Sequence, residues 1–366
     1  MPEVVIGRSV LIVVGERDAG YNQVHRITFH SLTFKNIVVI YGPPKFTGLF
    51  FPAGKHPPHH LLLCLQAEQT VLGYVKQHEG KSGTPTMGGW IFVLPAVVMP
   101  LIFYSTFSLV SAMATLSYAT IGFLDDFIKV RFKRNLGLKP YQKIIGQVGA
   151  AIILGFFCYN NGFIGSSIRL PFTTAVFDMG WFIIPFVTLV YIAMTNGVNL
   201  TDGLDGLAGF TSIAYFMAFS IILWGYYSDA VVANDTEYAK ELFGLIITSV
   251  SFLGGLLAYV CHNSYPSSVM MGDTGSLALG AGATTVAVFA RQPFLIVFAG
   301  IMFVVSCISV ILQVVVFKIK KKRVFLMAPL HHHFELKGFK ESKITACYFA
   351  ISIIGGVVAI IASRVI

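Results

Sequence analysis

Charge is what this sequence most lacks: 12% of its 366 residues are Asp, Glu, Lys or Arg, against 55% apolar, and mean hydropathy is +0.74. Such a chain is neither an ordinary soluble domain nor a disordered one, because most of its length has to sit away from water. Cysteine is scarce as well. Cys64, Cys158, Cys261, Cys307 and Cys347 are scattered, mostly within apolar runs, with no CxxC and no His/Cys metal spacing. That excludes a disulfide scaffold and leaves the cysteines as small core hydrophobes. No N-terminal apolar core is followed by a small-residue cleavage site, so no cleavable signal peptide is read. With 14% aromatics and 35 glycines the composition is wrong for a coiled coil, and the segments are too continuously apolar for an outer-membrane barrel. What remains is an all-α, polytopic helical membrane protein.

A helix that crosses the hydrocarbon needs about 20 apolar residues. Nine such runs occur, near 90–107, 108–124, 144–161, 181–199, 206–227, 242–261, 274–290, 294–317 and 344–364. Trp90 to Leu124 must hold two crossings, with Pro95 and Pro100 in the first. If the nine alternate, the segment before Trp90 and the connections at 125–143, 200–205, 262–273 and 318–343 all emerge on one side. The 125–143 and 318–343 loops carry fourteen Lys and Arg, whereas the opposite side has four: Arg169, Lys240, Arg291 and Arg364. The positive-inside rule makes the first side cytoplasmic. The net charge of +9 therefore reflects topology in a lipid bilayer and calls for no nucleic acid.

The first 80 residues do not follow this pattern. Val10–Val14 and Ile37–Tyr41 are too short to span, and Gly42-Pro43-Pro44 and His56-Pro57-Pro58-His59-His60 interrupt anything longer. The chain accordingly divides into an atypical segment, 1–77, without a clear first span, and a transmembrane domain, 78–366.

Carboxylates at membrane depth cost roughly 2.5–3.5 kcal/mol each at a helix centre, so their placement carries information. Asp125 and Asp126 close the second run, Asp202 and Asp205 lie in Asn199-Leu200-Thr201-Asp202-Gly203-Leu204-Asp205-Gly206, and Asp273 lies in Met271-Gly272-Asp273-Thr274-Gly275-Ser276, all on the cytoplasmic side. Singly, Asp202 and Asp273 read as N-caps. Together the five read as a gathering around one divalent cation. Hard carboxylate oxygens without nearby cysteine favour Mg2+, which is held by one or two carboxylates plus substrate phosphates. Carboxylates, Mg2+ and lysines at a membrane surface are the components of phosphoryl transfer on a diphosphate. The acids on the opposite side, Asp229, Asp235, Glu237 and Glu241, fall in one polar loop and its edge, where solvation explains them.

A third feature is Ala328-Pro329-Leu330-His331-His332-His333-Phe334-Glu335 in the long cytoplasmic loop. Three consecutive histidines cannot all face one metal from a helix, since neighbours are about 100° apart. They read either as a solvated loop or as an anion contact.

These residues resemble the polyprenyl-phosphate N-acetylhexosamine-1-phosphate transferase superfamily, and within it the phospho-N-acetylmuramoyl-pentapeptide-transferase branch. The Asp125-Asp126 pair with Lys129, and the Asn199–Gly206 loop, match the superfamily; Gly83-Thr84-Pro85-Thr86-Met87-Gly88-Gly89 and Pro329-Leu330-His331-His332-His333-Phe334-Glu335 match the branch. The resemblance runs in the family's order over roughly 78–366. It implies a bacterial inner-membrane enzyme of ten helices, often a homodimer, that joins UDP-N-acetylmuramoyl-pentapeptide to undecaprenyl phosphate with Mg2+, giving lipid I and UMP. By similarity Asp273 is the Mg2+ ligand, Asp125 deprotonates the lipid phosphate or attacks the sugar nucleotide, and Asp126 supports the same centre. Lys129, Lys143, Asn263 and His331 match positions near the phosphates. Lys81, Thr86, Asn199, Leu200, Asp202, Gly203, Asp205, Gln313 and His332 match nucleoside and inhibitor contacts. Met270 stands where relatives carry Phe, replacing an aromatic platform with a thioether. The first of the ten helices should lie in residues 1–75, where no adequate span occurs.

Two other readings compete. A sister enzyme moving N-acetylglucosamine-1-phosphate would share the metal chemistry, but the triple histidine and Thr-Pro-Thr-Met string weigh against it. An ion-coupled transporter would distribute acids across the depth of the bilayer, whereas these sit at one interface.

Overall fold

A computed structural model describes residues 85–132 and 137–364, together with the backbone of four strands nearer the N-terminus. Residues 1–61 form a unit of their own. In it β1 (Val5–Val10), β2 (Thr28–Phe34), β3 (Ile37–Tyr41) and β4 (Thr47–Phe50) pair successively as an antiparallel meander. The 77/78 boundary and Lys81 lie outside the described residues.

The second unit is helical: α1 (Trp90–Ile102), α2 (Thr106–Arg131), α3 (Pro140–Asn160), α4 (Ile183–Thr201), α5 (Leu207–Val232), α6 (Thr236–Asn263), α7 (Gly272–Phe289), α8 (Ile296–Ala299), α9 (Ile301–Lys320), α10 (Leu330–Leu336) and α11 (Glu341–Arg364). Each of the nine expected spans is helical. Seven of the described helices are long and apolar enough to cross a membrane.

Three spans end differently from expectation for local reasons, and a fourth differs in character. The first helix stops at Ile102, two residues past Pro100, and Ser105 opens α2 through a capping box with Ser108. The second runs beyond Asp125-Asp126 to Arg131, so the acid pair lies a turn inside its end. The eighth span is interrupted at Gly300, which separates α8 from α9. The seventh, α7, falls outside the seven apolar helices although every residue from Thr274 to Phe289 is buried. A helix surrounded by helices needs small residues for close approach more than it needs hydropathy. A Cβ on Gly280 would come 2.5 Å from Thr195 Cα, and one on Gly282 would overlap the Phe252 ring.

Helix α7 is thus the central post, with α2, α4, α5 and α6 packed around it. A short antiparallel hairpin, β5 (Ser167–Arg169) with β6 (Val176–Asp178), sits between α3 and α4. The cysteines are less uniform than expected. Cys158 is buried, but Cys261 and Cys347 are exposed in apolar helices whose free faces suit lipid. Glu241 is also not a solvated loop acid: buried on α6, it accepts from the amides of Thr106 (3.1 Å) and Phe107 (2.6 Å) and so caps α2.

Candidate active site

One end of the bundle collects the C-terminal turns of α2, α4 and α6 and the N-terminal turns of α3, α5, α7 and α11, as alternate crossings require. Backbone contacts fix the first pair. A Cβ on Gly122 of α2 would overlap the Asp273 carbonyl, and one on Gly89 would overlap Gly275, so two glycine approaches seat α2 and the 85–89 segment against the start of α7. The amide of Met270 bonds to Pro85 O (2.9 Å), Gly88 N to Met270 O (2.8 Å) and Gly89 N to Met271 O (3.2 Å). The Pro85–Gly89 part of the Gly-Thr-Pro-Thr-Met-Gly-Gly string is therefore laced to the Met-Gly-Asp loop. Gly272 is left-handed (φ 70°), and a Cβ there would meet Asp126 Oδ2 and Thr86 Oγ1.

On this frame Asp125, Asp126 and Asp273 present oxygens that all lie within 4.8 Å of one another. Their roles differ. Asp126 accepts from the amides of Asp273 (3.1 Å) and Thr274 (2.8 Å) and from the Thr274 hydroxyl (2.7 Å), so it caps α7. Asp273 is therefore not an N-cap but a first-turn acid, free to face outward. Its carboxylate receives Lys129 Nζ at 2.7 Å, Lys143 Nζ at 3.1 Å and the Asn199 side-chain amide, which also bonds Ser276 Oγ at 2.8 Å. Asp125 Oδ2 takes the same Lys129 ammonium at 2.5 Å, and its Oδ1 accepts from Leu138 N at 2.8 Å. Lys129 thus bridges two carboxylates. An ammonium between hard oxygen donors marks a place built for positive charge, and the all-oxygen donor set fits Mg2+.

The other expected residues make contacts of their own. Asp202 is the C-cap of α4, not the N-cap of α5; Gly206 takes that place with a left-handed φ of 72°. Burial, and then the charges of Asp273, Asp126 and Asp205, push the Asp202 carboxyl up to about 8. Asp205 lies apart from the cluster, bound to Ser267 N (3.0 Å) and Oγ (2.9 Å) while its own amide donates to Glu341 (2.5 Å). Asn263 is buried and engaged with backbone, accepting from Gly206 N (3.0 Å) and donating to Val269 O (2.8 Å). Gln313 folds the 324–325 backbone against α9 through three bonds of 2.9–3.3 Å. Leu200, in the last turn of α4, and Gly203 and Met270, on the loops that follow α4 and α6, are half-buried, and Thr86 is buried beside Gly272.

The histidines separate as α10 geometry demands. His331 is wholly buried against Gly203, where a Cβ would overlap its Nε2, and neither ring nitrogen has a partner among the described residues. Burial, with His332 adding, lowers its pKa to about 3. His332 pairs with Glu335 at 2.9 Å, and His333 Nδ1 accepts from Leu326 N at 3.1 Å. Leu138, Thr274, Ser267 and Glu341 were missed. None carries a sequence signal of its own, since each acts through a contact made across the chain.

Residues 108–291 match the profile of Glycosyl transferase family 4. The chain is 39% identical over 291 residues to the phospho-N-acetylmuramoyl-pentapeptide-transferase of Halalkalibacterium halodurans, covering 78% of this chain and 85% of the relative. It is 42% identical over 281 residues to that of Caldanaerobacter subterraneus subsp. tengcongensis, covering 76% and 84%. Against that of Bacillus subtilis the identity is 40% over 291 residues, covering 78% and 85%.

Proposed function

The chain belongs to the phospho-N-acetylmuramoyl-pentapeptide-transferase family, and from that membership we propose how its carboxylate centre works. The reaction moves phospho-N-acetylmuramoyl-pentapeptide from its UDP derivative to undecaprenyl phosphate, giving lipid I and UMP for peptidoglycan synthesis. The observation that carries the site assignment is the meeting of Asp125, Asp126 and Asp273, from two helices, with Lys129 and Lys143.

In this reading the centre faces the cytoplasm across the bacterial inner membrane, because the basic 125–143 and 318–343 loops lie at its end. Asp273, with Asp125 beside it, would hold Mg2+, which when bound neutralises charge on the substrate diphosphate. Asp126 supports the ligand from behind by capping the helix that bears it. Lys129 and Lys143 turn from the carboxylates to the phosphate oxygens once a diphosphate arrives. Asp125 orients the lipid phosphate and accepts any residual proton. The lipid phosphate oxygen forms a bond to the sugar-bearing phosphorus as the bond from that phosphorus to the UMP oxygen breaks, in line and without a covalent enzyme intermediate. Both Asp125 oxygens are already engaged, by Leu138 N and Lys129, which favours orientation over nucleophilic attack. Asn199, Leu200, Asp202, Gly203, Asp205, Met270 and His331 border the approach for the nucleoside and its phosphates. Pairing of two chains in the membrane belongs to the same proposal and is read from the mass of the detergent-solubilised protein.

The test is to supply purified protein with the muramoyl-pentapeptide nucleotide, undecaprenyl phosphate and Mg2+ and to follow UMP. Release of UMP from UDP-N-acetylglucosamine instead would identify the sister activity. Substrate uptake into vesicles without UMP would identify a transporter.

A further inference from the structure

At the end of the bundle opposite the carboxylate centre, cations are few, and three of the four there converge. The guanidinium of Arg169, on the β5–β6 hairpin, lies 5.2 Å from the centre of the Tyr226 ring, and that of Arg364, at the end of α11, lies 5.6 Å from it. Arg291, just past α7, donates through Nε to Ser167 O (3.1 Å), while its own carbonyl accepts from Arg169 N (3.0 Å). Two guanidiniums thus meet on one tyrosine, and the third is tied to the hairpin that carries the first of them. Topology gives no reason for them, since it depletes the outer side of Arg and Lys.

Their neutralisation is incomplete. Arg364 is paired with Asp229 at 2.8 Å. Arg169 and Arg291 have no carboxylate within ion-pair distance among the described residues. The nearby acids serve backbone: Asp178 accepts from Ser166 Oγ (2.5 Å) and Gly180 N (3.0 Å), and Asp235 caps α6 through Tyr238 N (3.1 Å). Arg291 adopts a left-handed φ of 58° at a helix end where glycine is usual, so an arginine is kept there against backbone preference. Gln292 is buried, donates to the Tyr226 hydroxyl at 2.6 Å, and leaves its carbonyl oxygen without a partner. Beside the hairpin, Trp181 and Phe182 stack and are more than half exposed, as aromatics are at a membrane–water interface.

We propose that Arg169 and Arg291 bind the phosphodiester of an anionic phospholipid headgroup in the outer leaflet. Planar guanidiniums suit phosphate oxygens, and stacking on Tyr226 orients one of them. The site is independent of the transferase centre, and only its assignment to the outer leaflet rests on the sidedness proposed above.

The test uses the full chain, delipidated in detergent and titrated with phosphatidylglycerol or phosphatidylcholine, with bound lipid counted by native mass spectrometry. One phosphatidylglycerol per chain should be retained at concentrations where phosphatidylcholine is not. In Arg169→Gln/Arg291→Gln the apparent affinity for it should fall at least tenfold, with turnover unchanged, and Arg169→Lys/Arg291→Lys should recover part of the loss. Should the double glutamine variant unfold, Arg169→Gln alone is read by the same count. Equal retention in wild type and variant, or of the two lipids, overturns the proposal. Stabilisation of the wild type by inorganic phosphate as large as that by phosphatidylglycerol overturns the lipid as its source.

Discussion

The two ends of this helix bundle use charge in opposite ways. At the end away from the carboxylate centre, the outer one in the sidedness proposed above, four acids serve the fold: Glu241 caps α2, Asp235 caps α6, Asp178 closes the hairpin and Asp229 pairs with Arg364. At the inner end charged groups from α2, α3 and α7 compete for one another, and the Lys129 ammonium is shared by Asp125 and Asp273. A carboxylate consumed by backbone amides is finished with folding. One that keeps an oxygen on movable ammoniums can exchange them for a ligand. By that criterion Asp126 and Asp205 belong with the outer acids, although both lie at the inner end, and Asp273 and Asp125 are left for chemistry.

The largest effect that tests this division is at Asp273. Changing Asp273→Asn keeps the shape and the Asn199 contact but removes the charge, and turnover should fall by about 100- to 1000-fold, the loss typical of one electrostatic group in an active site. The thermal midpoint should stay close to that of the wild type; wild-type turnover would sink the metal assignment. Next comes the frame. Gly122→Ala puts a Cβ into the Asp273 carbonyl, and since backbone cannot give way as a side chain does, α2 must move from α7. Overpacking of this kind costs about 1–3 kcal/mol. Turnover should drop more than tenfold, because Asp125 moves with α2 while Asp273 does not. A variant with full turnover would mean that the glycine contact does not set the site.

The extent to which the sequence discloses this arrangement follows from the same division. Spans that face lipid, such as α9 with its row of exposed Ile, Leu and Val, declare themselves by hydropathy alone. Helix α7 declares itself less, because its Gly, Ala, Ser and Thr serve helix contacts and its apolar content is correspondingly low. Of the site, Asp125, Asp126 and Asp273 stand out as costly residues in an apolar chain, and Lys129 follows them by one helical turn. The cap that Asp126 gives Thr274, the Ser267 and Glu341 contacts of Asp205 and the closeness of Gly122 to Asp273 join residues 62 to 151 positions apart. No local pattern encodes such pairs. The same limit applies to Glu241, whose sequence neighbours suggest solvent and whose partners are two amides on another helix.

Glu241 supplies the intermediate effect and the outer half of the comparison. Glu241→Ala leaves the amides of Thr106 and Phe107 without an acceptor in a buried place, a loss of about 1–2 kcal/mol. The thermal midpoint should fall by several degrees while turnover of the molecules still folded is unchanged. A loss of turnover at constant stability would place Glu241 with the inner acids and erase the distinction between the ends.

The effect smallest at neutral pH concerns His331, which belongs to the end with the carboxylate centre yet is kept neutral. It has no exposed surface, and its pKa is lowered from 6.5 to about 3 by burial and then by His332. Because the folded pKa lies below the unfolded one, the unfolded chain takes up the proton first as pH falls. The stability contributed by the neutral imidazole is therefore complete above about pH 6.5 and is lost progressively from there toward 3. Replacing it in His331→Gln removes the titration. The midpoint of the wild type should decline relative to the variant between pH 7.5 and 4.5, roughly the upper part of that window. Parallel curves would show that the ring is charged or solvated in the folded protein, and His331 would then join Lys129 and Lys143 as a cation at the inner end.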